Sequence, residues 1–263
     1  MDDVVTFNRN TLASVESFIK DEDYEKSKDL YGLPRFVYHL INKPMNRDLT
    51  YVDLLMFLRR FLNKEKVSYL EIGVSVLKTF FQVANYLENS HLYAYDINLM
   101  NPTIESKFTK VGLCDYEHKS NKITYFRGDV FKVDDLNKFK YHLRYGHNNL
   151  IDILFSDANH SYNGLMSEYN NMIKDILSEE FILYYDDLNW DNNPENEDMD
   201  TAFSNISQDI RKNKQDKKIT VALLNVNGWL GNHEFKHTNG IITTLDIKTI
   251  FQEHNINIDI KYL

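Results

Sequence analysis

"YLEIGVSVLKTF", residues 69–80, decides how this chain is read. Tyr69 to Ile72 is an apolar run broken only by Glu71, Gly73 closes it, and a helical pattern follows. A strand that ends in an acid and a glycine and turns into a helix is how a nucleotide-binding α/β sheet begins. A dinucleotide loop would carry two more glycines, where Ser75 and Leu77 stand. The stretch is therefore either a cofactor loop with glycines replaced or an ordinary strand-to-helix turn.

Downstream, the same alternation of strand and helix repeats. Strand-like runs occur at 67–73, 91–97, 122–129, 151–157, 181–187, 219–226 and 240–247. Helix-compatible segments lie between the first five, at 76–88, 103–110, 132–143 and 162–177. Strands alternating with helices pair in parallel through right-handed crossovers, and runs apolar at nearly every position fit strands covered on both faces. The last two runs are joined by the turn-rich "NGWLGNHEFKHTN" and are expected to pair antiparallel. The predicted fold is α/β: a doubly wound, mostly parallel, seven-stranded Rossmann-like sheet with a terminal antiparallel hairpin. Residues 1–63 form an N-terminal helical cap, with "TLASVESFIK" and "LTYVDLLMFLRRFL" as helices and Thr50 as a cap, and residues 64–263 form the sheet domain. The closing "FQEHNINIDIKYL" alternates apolar residues, as an added edge strand or a subunit contact would.

The 263 residues are 43% hydrophobic and carry a net charge of −9, which argues against a phosphate-backbone binder. "RKNKQDKK" (211–218) reads as a solvated helix end. Cys114 is the only cysteine, so an intrachain disulfide and a cysteine-rich zinc site are excluded. "MDDVVTFNRN" lacks the apolar core of a signal peptide, and no run reaches the roughly 18 apolar residues of a membrane span. A soluble, cytoplasmic protein of a reducing compartment is expected, with no membrane or nucleic-acid partner and with homo-oligomerisation left open.

In such sheets ligands bind beyond the carboxyl ends of the strands, near the point where strand order reverses. Here the strands end in acids. Glu71 and Gly73 close the first, Asp96 the second, and Asp129, in "RGDV", the third. Asp96 stands 25 residues after Glu71, where a carboxylate accepts hydrogen bonds from both hydroxyls of a ribose. The fourth ends in "FSDANHSY" and the fifth in "YYDDLNW", bringing Asp157, Asp186 and Asp187 to neighbouring strands about 4.8 Å apart. Crowded carboxylates call for a compensating cation, and oxygen ligands suit Mg²⁺, Mn²⁺ or Ca²⁺.

The ordered set "EIG", "YDI", "GDV", "DANHSY" and "DD" over residues 67–247 resembles class I S-adenosylmethionine-dependent methyltransferases, especially metal-dependent macrocin-like sugar O-methyltransferases. The resemblance implies that Glu71, Gly73 and Ser75 line the methionine and ribose of S-adenosylmethionine, that Asp96 holds the ribose, and that Asp129 and Val130 flank the adenine. Asp157, Asp186 and Asp187 would ligate a divalent cation that acidifies and aligns the acceptor hydroxyl, with Asp157 also bordering the cofactor. The acceptor would be a small molecule, a sugar or glycan unit.

Two departures bear on this. S-adenosylmethionine has no pyrophosphate, so the loop tolerates Ser75 and Leu77 in place of glycine, and Leu77 is expected to begin the helix and enter the core. Asn159 stands where the sugar-methylating relatives carry an acid considered the general base, and an amide cannot take a proton. His160, three residues after Asp157, is the expected substitute. Further pocket candidates are Trp190, in the polar segment 189–200, and Arg35, Tyr38 and His39, whereas His233 and His237 read as exposed loop residues. The competing expectation is a non-catalytic binding or scaffold protein of the same fold; an RNA-cap methyltransferase is disfavoured by the acidic charge.

Overall fold

The computed structural model describes residues 1–13, 47–75, 77–147, 150–188, 199–227 and 236–263. Its centre is a sheet of ten strands: β1 (Ser68–Ile72), β2 (His91–Asp96), β3 (Thr109–Lys110), β4 (Asp115–His118), β5 (Asn121–Arg127), β6 (Ile151–Ser156), β7 (Leu177–Tyr185), β8 (Thr220–Asn227), β9 (Lys236–Thr243) and β10 (Asp259–Tyr262). They lie in the order β10-β8-β9-β7-β6-β1-β2-β5-β4-β3. The strands from β5 through β2, β1 and β6 to β7 are parallel. The chain steps from β1 outward through β2 to β5, then returns to β6 on the other flank of β1. The reversal of strand order therefore falls between β1 and β6, where doubly wound sheets open their ligand crevice.

Among the described residues the sheet has ten strands, where seven were expected. The seven anticipated runs all form strands; β3, β4 and β10 are added at the two edges. Residues 103–110 were expected to be helical throughout, but the helix covers only Pro102–Glu105 and the segment ends in β3. The cause is the turn at Gly112, where the amides of Val111 and Gly112 both bond the Asp115 carbonyl and fold β3 onto β4. β8 and β9 pair antiparallel, and β9 also pairs antiparallel with β7, but the chain continues to β10 on the outer edge of β8.

Helices cover both faces: α1 (Asp2–Ala13), α2 (Tyr51–Leu58), α3 (Lys78–Tyr86), α4 (Pro102–Glu105), α5 (Val133–Tyr141), α6 (Tyr162–Glu168), α7 (Lys174–Ile176), α8 (Met199–Asn213) and α9 (Ile247–Glu253). Strand alternation divides the interior. Tyr69, Phe155 and Tyr184 face one core, shared with α1, α2, α3 and α9, while Leu70, Leu154 and Leu183 face another, shared with α5, α6 and α8. Every residue of α2 is buried. Thr50 caps it in a capping box with Asp53, and Asp53 also receives Arg9 at 2.8 Å and Asn8 at 2.7 Å from α1. The N-terminal helices thus share their core with the sheet. Asp246, inside the run expected as the last strand, accepts from the Thr249 amide as the cap of α9, so β9 stops at Thr243.

Candidate functional site

Register fixes the rim. Ile72 pairs with Tyr95 on one side and Ser156 on the other, so Asp96 and Asp157 are the next residues beyond its two neighbours. The backbone extends the ladder past the strand ends: Gly73 N–H bonds Tyr95 O, Asp157 N–H bonds Ile72 O, Asp186 N–H bonds Ser156 O, and Gly128 N–H bonds Asp96 O. Gly73, Asp96, Asp157 and Asp186 therefore line one edge of the sheet, around the reversal of strand order.

The turn after β1 has an unusual backbone. Gly73, Ser75 and Leu77 have φ values of 82°, 44° and 57°, all left-handed. The two positions that lack glycine keep the conformation glycine favours, at a cost of about 1–2 kcal/mol for a residue with a side chain. Leu77 is fully buried and immediately precedes α3, as expected from sequence. Gly73 has no such freedom to vary: a Cβ there would lie 2.3 Å from the Asp157 carbonyl oxygen. This glycine is what lets the turns after β1 and β6 touch.

Asp96 closes the β1 turn from the side. One carboxylate oxygen accepts the Ser75 amide at 2.9 Å and the other the Asn98 amide at 2.8 Å. Burial raises its pKa, and these amide bonds pull the other way. Ile97 and Leu99, which follow it in sequence, and Phe131, in the turn after β5, are more than half exposed. Asp129 accepts the Phe131 amide at 2.9 Å and sits near Lys132, so it shapes the turn into α5, with Val130 buried after it. Glu71 is buried and receives the Tyr69 hydroxyl at 2.6 Å; desolvation pushes its pKa well above the usual carboxylate range.

Across the crevice, Asp157, His160 and Asp187 each bring a ligand-competent atom within 4.8 Å of the others. His160 Nε2 is 3.4 Å from Asp157 and its Nδ1 is 4.0 Å from Asp187. Consecutive strand residues point to opposite faces. The "DD" pair therefore does not present both carboxylates alike: Asp187 adopts φ 49°, a turn that aspartate tolerates. Asp187 joins His160, while Asp186, buried like Asp187, has one carboxylate oxygen with no hydrogen-bond partner among the described residues. Desolvation, then the Asp157 charge, holds the Asp186 pKa well above normal. Asn159 is absorbed by structure. Its Oδ1 accepts the Ser161 hydroxyl, Ser161 caps α6, and a Cβ at Gly164 would strike Asn159 Oδ1 at 2.5 Å.

Two contributors were missed from sequence. Tyr51, fully buried on α2, packs against Phe155 and Tyr184, and burial, followed by the charges of Asp186 and Asp157, raises its pKa. Glu168 is fully buried on α6 and accepts the Ser156 hydroxyl at 2.6 Å. The available signal for Glu168 was an acid on the apolar stripe Leu165, Tyr169 and Met172. Trp190, Arg35, Tyr38, His39 and His233, together with the side chain of His237, lie outside the described residues.

No family model matches the chain, and no curated protein is similar to it. Solved structures with a similar chain trace include the O-methyltransferase TomG from Streptomyces achromogenes in complex with SAM, at 13% identity over 85% of this chain and 90% of that one, TM-score 0.45. The plantazolicin methyltransferase BpumL in complex with SAH is 15% identical over 91% and 97%, TM-score 0.48. Aeropyrum pernix fibrillarin with bound S-adenosyl-L-methionine is 12% identical over 72% and 74%, TM-score 0.42. At such scores these are likenesses of trace only; the fold class follows from the strand order itself.

Proposed function

We propose that this chain is an S-adenosylmethionine-dependent O-methyltransferase that methylates a hydroxyl of a small acceptor, a sugar or glycan unit, with a divalent cation at the acceptor side. The observation that carries this reading is the register of β1 against β2 and β6, which sets Asp96 and the Asp157–His160–Asp187 group on either side of Gly73. The residues fit both groups. Asp96 has further lone pairs for ribose hydroxyls beyond the two amides it accepts. Bare Ile97 and Phe131 offer apolar surface for a base. The buried Asp186 oxygen, which has no hydrogen-bond partner among the described residues, is what a nearby cation would compensate, because an unmet buried acceptor is costly.

When bound, S-adenosylmethionine supplies an electrophilic methyl group, and the cation lowers the pKa of a coordinated hydroxyl. The chain's own work is positional. Gly73 lets the two loops meet, Asp96 fixes the turn after β1, and Asp157, His160 and Asp187 would hold the cation, whose charge would favour loss of the proton that burial otherwise keeps on Asp186. In this reading His160 serves as a ligand and not as the base expected from sequence, a choice supported by its ring nitrogens lying 3.4 Å and 4.0 Å from the Asp157 and Asp187 carboxylates. An imidazole beside two carboxylates suits a transition ion such as Mn²⁺ better than the oxygen-seeking Mg²⁺ or Ca²⁺.

Calorimetric titration with S-adenosylhomocysteine, with and without Mn²⁺, tests this: binding of both is expected, and Asp186→Ala is expected to abolish turnover while leaving cofactor affinity nearly intact. A non-catalytic protein of the same fold is the second reading, favoured by the glycine-less left-handed turn at Ser75 and Leu77 and by the structural use of Asn159. It predicts no heat with S-adenosylhomocysteine.

A further inference from the structure

The loop from Asp157 to Ser161 carries the two side chains that matter most on the acceptor side, yet it has little regular structure of its own. Its far end is fixed by Ser161, whose hydroxyl accepts the Gly164 amide at 3.1 Å. Its near end is held from below. Ser156, the last residue of β6, donates its hydroxyl to Glu168 Oε2 at 2.6 Å, twelve residues on and across the loop. Both partners are at least nine-tenths buried, at 4% and 0% exposure. The Ser156 carbonyl meanwhile accepts the Asp186 amide, so the same residue joins β6 to the end of β7.

The neighbouring residue extends the brace. Ser167 donates its hydroxyl to the Val130 carbonyl at 2.6 Å, in the turn after β5. Adjacent positions on α6 therefore grip two different strand ends. A fully buried carboxyl on an apolar helix face is costly unless it is hydrogen-bonded, and among the described residues Glu168 Oε1 has no hydrogen-bond partner. Burial also pushes its pKa up to about 8, so near neutrality it accepts the Ser156 hydrogen bond as a mostly neutral carboxyl. An apolar residue at this position would pack with Leu165 and Met172 at no such cost. The acid stands on α6 where the helix reaches the base of the loop.

We infer that Glu168 is a positioning residue: through Ser156 it clamps the base of the Asp157–Ser161 loop and holds Asp157 and His160 in mutual register for a cation. This rests on the proposed cation site. The role is one of hydrogen-bond geometry, so a glutamine, whose amide oxygen can accept the Ser156 hydroxyl, should preserve it. Removal of the acceptor or of the donor should not.

The test uses the whole chain, as wild type, Glu168→Gln, Glu168→Ala and Ser156→Ala. Mn²⁺ affinity is read from the free-ion paramagnetic resonance signal, S-adenosylhomocysteine affinity by calorimetry, and loop order from amide hydrogen exchange at residues 158–161. Expected is a loss of about tenfold or more in Mn²⁺ affinity for Glu168→Ala and Ser156→Ala, the scale on which supports of metal ligands act. Glu168→Gln should stay near wild type, cofactor affinity should be unchanged in all, and exchange at the loop should quicken only in the alanine variants. If the alanine variants bind Mn²⁺ within twofold of wild type and exchange is unchanged, the inference is overturned; it is equally overturned if Glu168→Gln fails along with them. If wild type takes up no Mn²⁺, the cation site itself is refuted, and loop exchange alone then decides the clamp. Ser156→Ala, a small change, keeps the question answerable if Glu168→Ala does not fold.

Discussion

The turn after β1 and the turn after β6 sit side by side on one rim and touch at Gly73, yet they are built on opposite plans. The first is a backbone device: three left-handed residues at alternate positions, two of them not glycine, with Asp96 bonded to the Ser75 amide. The second is a side-chain device: Ser161 caps, Asn159 packs against Gly164, and Glu168 clamps from below. A backbone device tolerates side-chain change as long as the chain accepts the strain. A side-chain device fails when a single hydrogen-bond partner is lost.

The sharpest way to break the pairing is at the contact itself. Gly73→Ala forces a Cβ against the Asp157 carbonyl and a left-handed alanine, and should cost about 3 kcal/mol or more of stability in a denaturant titration. Cofactor and cation binding should fall together.

Leu77→Gly separates strain from packing. It relieves about 1–2 kcal/mol of left-handed strain, but it deletes a fully buried leucine, a loss of about 2–5 kcal/mol. Net destabilisation is expected, by a lower denaturation midpoint at unchanged slope.

Acidity probes the second turn. The pKa of Glu168 is raised in the fold to about 8 by burial, far above its usual value of 4.5. The folded state thus holds a proton that the unfolded state releases. Stability from this group is fully present below pH 4.5 and is lost as pH rises towards 8. Glu168→Gln should flatten that part of the stability–pH curve, as measured by thermal melts across the range.

Ser75→Gly should show the smallest effect and the opposite sign. It removes left-handed strain without deleting core contacts, and the added unfolded-state entropy of glycine offsets part of the gain. A stabilisation of about 0.5–1 kcal/mol is expected. Tighter S-adenosylhomocysteine binding in this variant would show that strain in the first turn opposes the cofactor.

The two turns also differ in how much of them the sequence exposes. Strand cores such as "YLEI" and "IDILF" are apolar at successive positions, so β1 and β6 and their terminal acids are readable, and parallel pairing puts Asp96 and Asp157 on one edge. Thr50 with Asp53 is a local cap and is read just as directly. Contacts that join distant residues leave weaker marks. Ser156 with Glu168, and Tyr51 beneath Asp186, depend on how helices settle on the sheet, which no local period encodes. The different fates of Asp186 and Asp187 turn on one backbone angle. Strands as short as β3 and β10 carry too few alternations to stand out, and the left-handed angles at Ser75 and Leu77 are invisible because neither residue favours them.

The central claim is that an adenosyl group and a hard cation occupy the same rim, either side of Gly73. It is tested most directly by adding Mn²⁺ to the protein holding S-adenosylmethionine labelled with ¹³C at its S-methyl group, and following that resonance by NMR. Pronounced paramagnetic broadening that disappears in Asp157→Ala is expected. A bound cofactor whose methyl signal is untouched by bound Mn²⁺ would contradict the claim.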